Sequence, residues 1–191
     1  MAFMSQFKTL SNDEIEIIAD NINIQLVKKG TILMKEGQIC ETCYFVLKGC
    51  LRQYLIVNGI EKTTQFFTEE QAAVQFSNYL NGEKSESYLV CAEDSVLIIG
   101  EINQEKKMYQ EFPVLEKITR MMIEQNLGKS QDEFTRFITN SPEERYLFLL
   151  KNRPDLLQRV PQHQLASYIG VTPESLSRIR KRTVFKNHTS L

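Results

Sequence analysis

Pro161-Gln-His-Gln-Leu-Ala-Ser-Tyr-Ile-Gly-Val-Thr-Pro-Glu-Ser-Leu-Ser-Arg-Ile-Arg-Lys-Arg182 is the stretch whose reading decides the fold. Two helices that cross steeply over a short turn need a small residue where they approach and a residue that can reverse the chain. Ala166 supplies the first. Gly170, four residues on, supplies the second, because it accepts the left-handed conformation that ends a helix. Thr172-Pro173-Glu174 restarts the helix with Thr as N-cap, Pro at the first helical position and Glu in the first turn. Leu165, Ile169, Val171, Leu176 and Ile179 are apolar where a small three-helix core requires it. The pattern is that of a helix-turn-helix.

In such a motif the residues near the start of the second helix face base edges. The candidate DNA contacts are Thr172, Pro173, Glu174, Ser175, Ser177, Arg178, Arg180, Lys181 and Arg182. Glu174 is suited to accept from a cytosine amino group and Arg178, one turn later, to grip a guanine with both arms. Spaced i and i+4, they share one helix face. Arg180, Lys181 and Arg182 are better placed for phosphates, which give affinity without sequence information. The competing reading is an exposed Glu174–Arg178 ion pair on a purely structural helical hairpin.

Upstream, Ser141-Pro142-Glu143-Glu144 has capping-box order, with Ser as N-cap, Pro at N1 and Glu at N3. Tyr146, Leu147, Leu149 and Leu150 follow as the expected buried side of that helix, and Arg153-Pro154 ends it. Before it, residues 113–139 read as one long helix opened by Pro113. Leu115, Ile118, Met122, Leu127, Phe134 and Ile138 recur along it as a stripe that has to be buried against the chain itself or a partner helix. Gly128 weakens this helix and marks a bend or a close approach.

From Ile22 to about Glu101 the character is different. Seven runs rich in β-branched and aromatic residues, NIQLVK, TILMK, CYFVLK, LRQYLIV, KTTQFF, SYLVCA and SVLIIGE, alternate with Gly-, Asn- and Asp-bearing turns. Asn58-Gly59 is the strongest hairpin signal, since both residues tolerate the positive φ of a type I′ turn. That many short strands argue for an antiparallel sandwich or jelly-roll barrel. A helix over about 12–21 precedes it. The fold class is α+β: an N-terminal antiparallel jelly-roll barrel, one long helix and a C-terminal helical unit.

Charge divides along the same line. Residues 1–140 hold 14 Lys+Arg against 20 Asp+Glu, and residues 141–191 hold 9 against 4, so the overall −1 conceals a basic C-terminal segment. A polyanion partner is thereby directed to that end. No run approaches the ~18 apolar residues of a membrane span. The first residues lack the basic and apolar regions of a signal peptide, which makes the cytoplasm the expected compartment.

The order barrel, long helix, helix-turn-helix resembles the Crp/Fnr family of bacterial regulators. The resemblance spans the chain and rests on Lys29-Gly30, Gly37, Cys43-Tyr-Phe-Val-Leu-Lys-Gly49, Phe112-Pro113, Ser141-Pro-Glu-Glu-Arg145 and, most specifically, Ala166 to Arg178. It implies a sensor barrel over 1–112, a dimerisation helix over 113–139 and a DNA-binding domain over 140–191. It further implies a homodimer on a palindromic operator of double-stranded DNA, with Leu115, Ile118, Met122, Leu127 and Phe134 in the dimer helix. A small-molecule effector in the barrel, and contact with RNA polymerase if the protein activates, belong to the same picture. Glu174 and Arg178 match the family's base-reading positions, while Pro173 stands where many members have a further polar reader. TVFKNHTSL after Arg182 is too short for the family's two-stranded wing.

The barrel departs from the family pattern at the candidate effector pocket, Val74, Gln75, Phe76, Glu86 and Ser87. Members that bind cyclic AMP hold its phosphate with Gly-Glu and Arg-Ser pairs. Here no Gly-Glu precedes Phe76, and Glu86-Ser87 stands at the Arg-Ser position. A carboxylate in that place repels a phosphate, and the expectation is that a cyclic nucleotide is not the effector. Lys84 is the one nearby cation that would compensate.

Cys40, Cys43, Cys50 and Cys91 fall in predicted strands and turns, where a free Cys behaves as a small hydrophobe. They are read as structural, with no cofactor and no metal, and a thiol switch at Cys40 is left open. A metal-dependent jelly-roll enzyme needs His and carboxylate ligands inside the barrel, yet His163 and His188 both lie beyond it. The expectation is a regulator and not an enzyme, with a ligand-binding or interaction module that has lost DNA recognition as the alternative.

Overall fold

The computed structural model describes residue 16 and residues 19–188. Of the expected 12–21 helix, Glu16 and Ala19–Asn21 are helical and the rest lies outside the described residues. Eight strands follow: β1 (Ile24–Val27), β2 (Ile32–Met34), β3 (Thr42–Lys48), β4 (Leu51–Val57), β5 (Ile60–Phe67), β6 (Ala72–Ala73), β7 (Tyr88–Cys91) and β8 (Ser95–Glu101). The helices are α1 (Phe76–Asn81), α2 (Ile102–Glu111), α3 (Pro113–Thr139), α4 (Pro142–Asn152), α5 (Leu156–Arg159), α6 (Gln162–Tyr168) and α7 (Pro173–His188).

The strands form two four-stranded sheets, ordered β1-β8-β3-β6 and β2-β7-β4-β5. β8 pairs antiparallel with both β1 and β3, with Leu26 opposite Val96 and Tyr44 opposite Ile99. All seven sequence runs are strands, and the expected antiparallel barrel stands. Asn58 and Gly59 have φ of 52° and 75°, the two positive values of a type I′ turn. Between the sheets lies a core of Met34, Cys40, Tyr44, Val46, Leu51, Phe67, Leu89, Cys91 and Leu97. Side chains alternate across a strand, so the residues that reach this core recur at every second position in β8, where Ser95 and Leu97 are fully buried.

Contacts divide the chain into two compact units. One is residues 1–52 with 66–129; the other is residues 53–65 with 130–191. The division cuts α3 between Lys129 and Ser130 and assigns most of the β4–β5 hairpin to the second unit.

In the second unit the helices close on Tyr146, Leu149, Leu156, Val160, Leu165, Ala166, Ile169, Leu176 and Ile179, all buried. A fully buried Leu contributes roughly 1.5–3 kcal/mol relative to exposure, so this short list supplies most of the apolar stabilisation of a small helical unit. Leu147 and Leu150, expected on the buried side of α4, are instead 41% and 39% exposed. At i+1 from Tyr146 and Leu149 they fall on the neighbouring side of the helix, beyond the apolar stripe.

The long helix has the expected ends. Its stripe is covered unevenly: Ile118 is buried, Leu115 and Met122 are half-buried, and Leu127, Phe134 and Ile138 are exposed. A Cβ added at Gly128 would meet nothing within 4 Å, so no close approach inside the chain requires that glycine.

Candidate nucleic-acid interface

The helix-turn-helix is built by backbone groups satisfied in sequence. α6 ends at Tyr168, and Gly170 takes φ of 75°. That conformation turns the chain so that the Val171 N–H donates to the Ala166 carbonyl at 2.9 Å and the Gly170 N–H to the Ser167 carbonyl at 3.1 Å. The Thr172 hydroxyl then accepts from the Ser175 N–H at 3.2 Å, and Pro173 opens α7. Ala166 is fully buried, as a helix crossing demands.

Along α7, Leu176 and Ile179 point into the core while Glu174, Arg178 and Lys181 are exposed at i, i+4 and i+7, one continuous face. Thr172 and Pro173 are exposed beside it, and Ser175 and Ser177 are half-buried at its edges. The Glu174 carboxyl is held below the ordinary carboxylate range by a hydrogen bond from its own N–H and one from the Thr172 hydroxyl, with Arg178 adding least. Among the described residues Arg178 forms no ion pair. The competing Glu174–Arg178 bridge is therefore not made, and the guanidinium stays available.

The basic run that follows is not uniform. Arg180 and Lys181 are exposed, whereas Arg182 Nη2 lies 3.5 Å from Glu143 Oε2 at the start of α4. Residues 183–188 continue α7, and Thr189–Leu191 lie outside the described residues.

In the barrel, Val74 and Gln75 link β6 to α1, and Val74 packs against the core. Gln75 occupies the N-cap position of α1 without capping it. Its side chain turns inward instead: Nε2 donates to the Ser87 hydroxyl, and Oε1 accepts from the Ser85 hydroxyl at 3.0 Å. Ser85 Oγ in turn accepts from the Ser87 N–H at 3.1 Å. The candidate pocket residues Gln75 and Ser87 are thus brought together. Phe76 is partly exposed and Glu86 faces outward. Ser85 was missed in the sequence: it precedes β7 and lies in no strand, so no periodic pattern marks it as buried. The polar groups of Gln75, Ser85 and Ser87 are occupied by one another, and none of these three side chains is a cation.

All four cysteines are free, and Cys40, Cys50 and Cys91 are at most 1% exposed. Burial pushes Cys40 and Cys43 up and Cys91 up to about 11, so these are protonated thiols at neutral pH. Cys40 Sγ sits 3.3 Å from Met34 Sδ in the core. His163 is exposed on α6, and His188 closes α7. Among the described residues no cluster of His, Cys, Asp and Glu is grouped to hold a metal, and no helix is long and apolar enough to cross a membrane.

Residues 24–109 match the family model of the cyclic nucleotide-binding domain. The matched segment is the one that carries the jelly-roll sheets described above. Over nearly its whole length the chain has the fold of the Crp/Fnr transcriptional regulators. It is similar to the c-di-GMP-responsive global regulator CLP of Xanthomonas campestris, at 16% identity and a TM-score of 0.71 over 91% of each chain. It is similar to FixK2 of Bradyrhizobium japonicum at 17% identity and a TM-score of 0.71, over 87% of this chain and 86% of that one. A Crp/Fnr-family protein from Eubacterium rectale matches at 18% identity and a TM-score of 0.67, over 94% of this chain and 86% of the other. No curated protein sequence matches the chain.

Proposed function

We propose that the protein is a sequence-specific DNA-binding transcriptional regulator that works as a homodimer on a palindromic operator. The observation that carries this reading is the exposed face of α7, on which Glu174, Arg178 and Lys181 line up beyond a capped helix start. Glu174 and Arg178 read base edges; Thr172, Pro173, Ser175 and Ser177 flank them; Arg180, Lys181 and Arg182 take phosphates. In this scheme residues 1–112 are the sensor domain, 113–139 the dimer helix and 140–191 the DNA-binding domain.

Dimer formation is supported by apolar residues that the chain leaves uncovered on α3, with Leu127 58% and Phe134 67% exposed. A helix stripe of this kind is stable when a second helix covers it. With Leu115, Ile118 and Met122 farther along the same helix, two copies set their recognition helices into half-sites about one helical turn apart. The effector is a small molecule other than cyclic AMP, because the Gln75–Ser85–Ser87 group holds no cation for a cyclic phosphate. Contact with RNA polymerase follows if the protein activates.

Selection of genomic fragments by the purified protein, followed by variants, tests the reading. A palindromic motif is expected to be enriched. Arg178→Ala should lower affinity for that motif while sparing random DNA, whereas Lys181→Ala should weaken both alike. Failure to enrich any motif would favour a module that keeps the fold without DNA recognition.

A further inference from the structure

The second compact unit contains a cleft of about 520 Å³ whose walls are β5, the end of α3, α4 and the end of α6. Its chemistry is uneven. Lys62, Arg136, Arg145 and Arg153 line it against a single acidic residue, Glu133. Arg153 is engaged by Asp155, 3.8 Å away. Arg136 is not: its guanidinium lies 4.3 Å above the Phe148 ring, and among the described residues it has neither a carboxylate nor a hydrogen-bond acceptor. Arg145 repeats the arrangement over Phe137, also at 4.3 Å, and spends only Nη1, on the Phe137 carbonyl at 2.9 Å. Both Nε–H groups are sealed from water without an acceptor.

A half-buried guanidinium with unmatched donors is unfavourable by itself. Stacking on a ring face compensates part of this and fixes the plane of the fork. Two forks so held, beside phenylalanine rings, form a receptor for an oxyanion attached to an apolar body, since carboxylate and phosphate oxygens match the guanidinium fork. We propose that this cleft binds a small organic anion, an oxyanion on a flat aromatic or similarly apolar body, with Arg136 and Arg145 taking the charge and Phe137 and Phe148 the body. The site stands whether or not α7 reads DNA. Its occupant touches the end of α6, where Ser167 Oγ accepts from the Thr63 N–H at 2.9 Å and donates to the Glu61 carbonyl at 3.1 Å. A bound anion therefore braces the helix that immediately precedes α7.

Titration calorimetry on the full chain tests this with phenyl phosphate and benzoate as probes, and inorganic phosphate and benzyl alcohol as their separated halves. At least one whole probe is expected to bind saturably and about tenfold or more tighter than either half. Arg136→Gln is expected to weaken binding about tenfold or more, the worth of a charge-assisted pair, with Arg136→Lys recovering part and Lys151→Ala, on the outer side of α4, unchanged. Should Arg136→Gln fail to fold, amide exchange of the unaltered protein provides the answer: residues 133–140 and 165–170 should slow with phenyl phosphate. No saturable binding of either probe, unchanged affinity in a folded Arg136→Gln protein, or unaltered exchange at those amides would each overturn the site.

Discussion

Arg182 Nη2 lies 3.5 Å from Glu143 Oε2, so the last residue of the basic run on α7 is held by the first turn of α4. The pair is exposed on the arginine side, and an exposed pair of this kind contributes only ~0–1 kcal/mol to stability. Its consequence concerns availability. A guanidinium already neighboured by a carboxylate contributes less to a phosphate than Lys181 does. Glu143→Gln should therefore tighten DNA binding and steepen its salt dependence by about one unit of log–log slope. Fluorescence anisotropy over a salt series measures both; an unchanged slope would mean Arg182 takes no part in the DNA contact.

The capping box of α4 is complete, with the Glu144 N–H donating to Ser141 Oγ at 3.3 Å and the Ser141 N–H to Glu144 Oε2 at 2.7 Å. Ser141→Ala should destabilise the protein by ~1 kcal/mol. These bonds hold the Glu144 carboxyl below its ordinary value of 4.5. A depressed folded-state value means that the stabilisation is present above the unfolded value and is lost as pH falls through the folded one. The deficit of the variant should thus be largest at neutral pH and shrink on acidification below about 4.5. Thermal melts of both proteins at pH 7 and pH 3.5 decide it.

Gly170 has φ of 75°, and an added Cβ would sit 3.0 Å from Phe137 Cζ. Gly170→Ala combines backbone strain with a crowded ring, and should cost ~1–3 kcal/mol. Chemical denaturation gives the number. Because the turn sets the angle of α7, operator affinity should fall by more than the loss of folded protein explains.

Ser85 is 2% exposed and its hydroxyl serves Gln75 Oε1 and the Ser87 N–H. Ser85→Ala leaves both without that partner, and unmatched buried groups cost about 1–3 kcal/mol. A fall in melting temperature is expected, together with no saturable stabilisation by cyclic AMP in either protein. A shift of several degrees with cyclic AMP would show that the Gln75–Ser85–Ser87 group opens to admit a phosphate.

Local chemistry is legible in the chain itself. The seven strand runs, the Asn58-Gly59 turn, the span 113–139, the capping box at Ser141 and the Ala166–Gly170–Thr172 sequence of the helix-turn-helix all depend on residues within a few positions of one another, so their patterns survive in one dimension. β6, α1 and α2 went unread: two residues of strand, a six-residue helix and a largely polar ten-residue helix carry too little periodicity, and they form because the barrel and α3 give them something to pack on.

Contacts between distant positions needed the fold. Nothing local pairs Arg182 with Glu143, turns Gln75 away from its helix cap toward Ser85, or stacks Arg136 on Phe148 and Arg145 on Phe137. The sequence by itself determined the elements, their order and the exposed face of α7, because turn conformations and helix caps are decided by neighbours. Tertiary structure alone decided which charges are spent internally and which face outward, because a Coulomb or hydrogen-bond partner is chosen by distance in space.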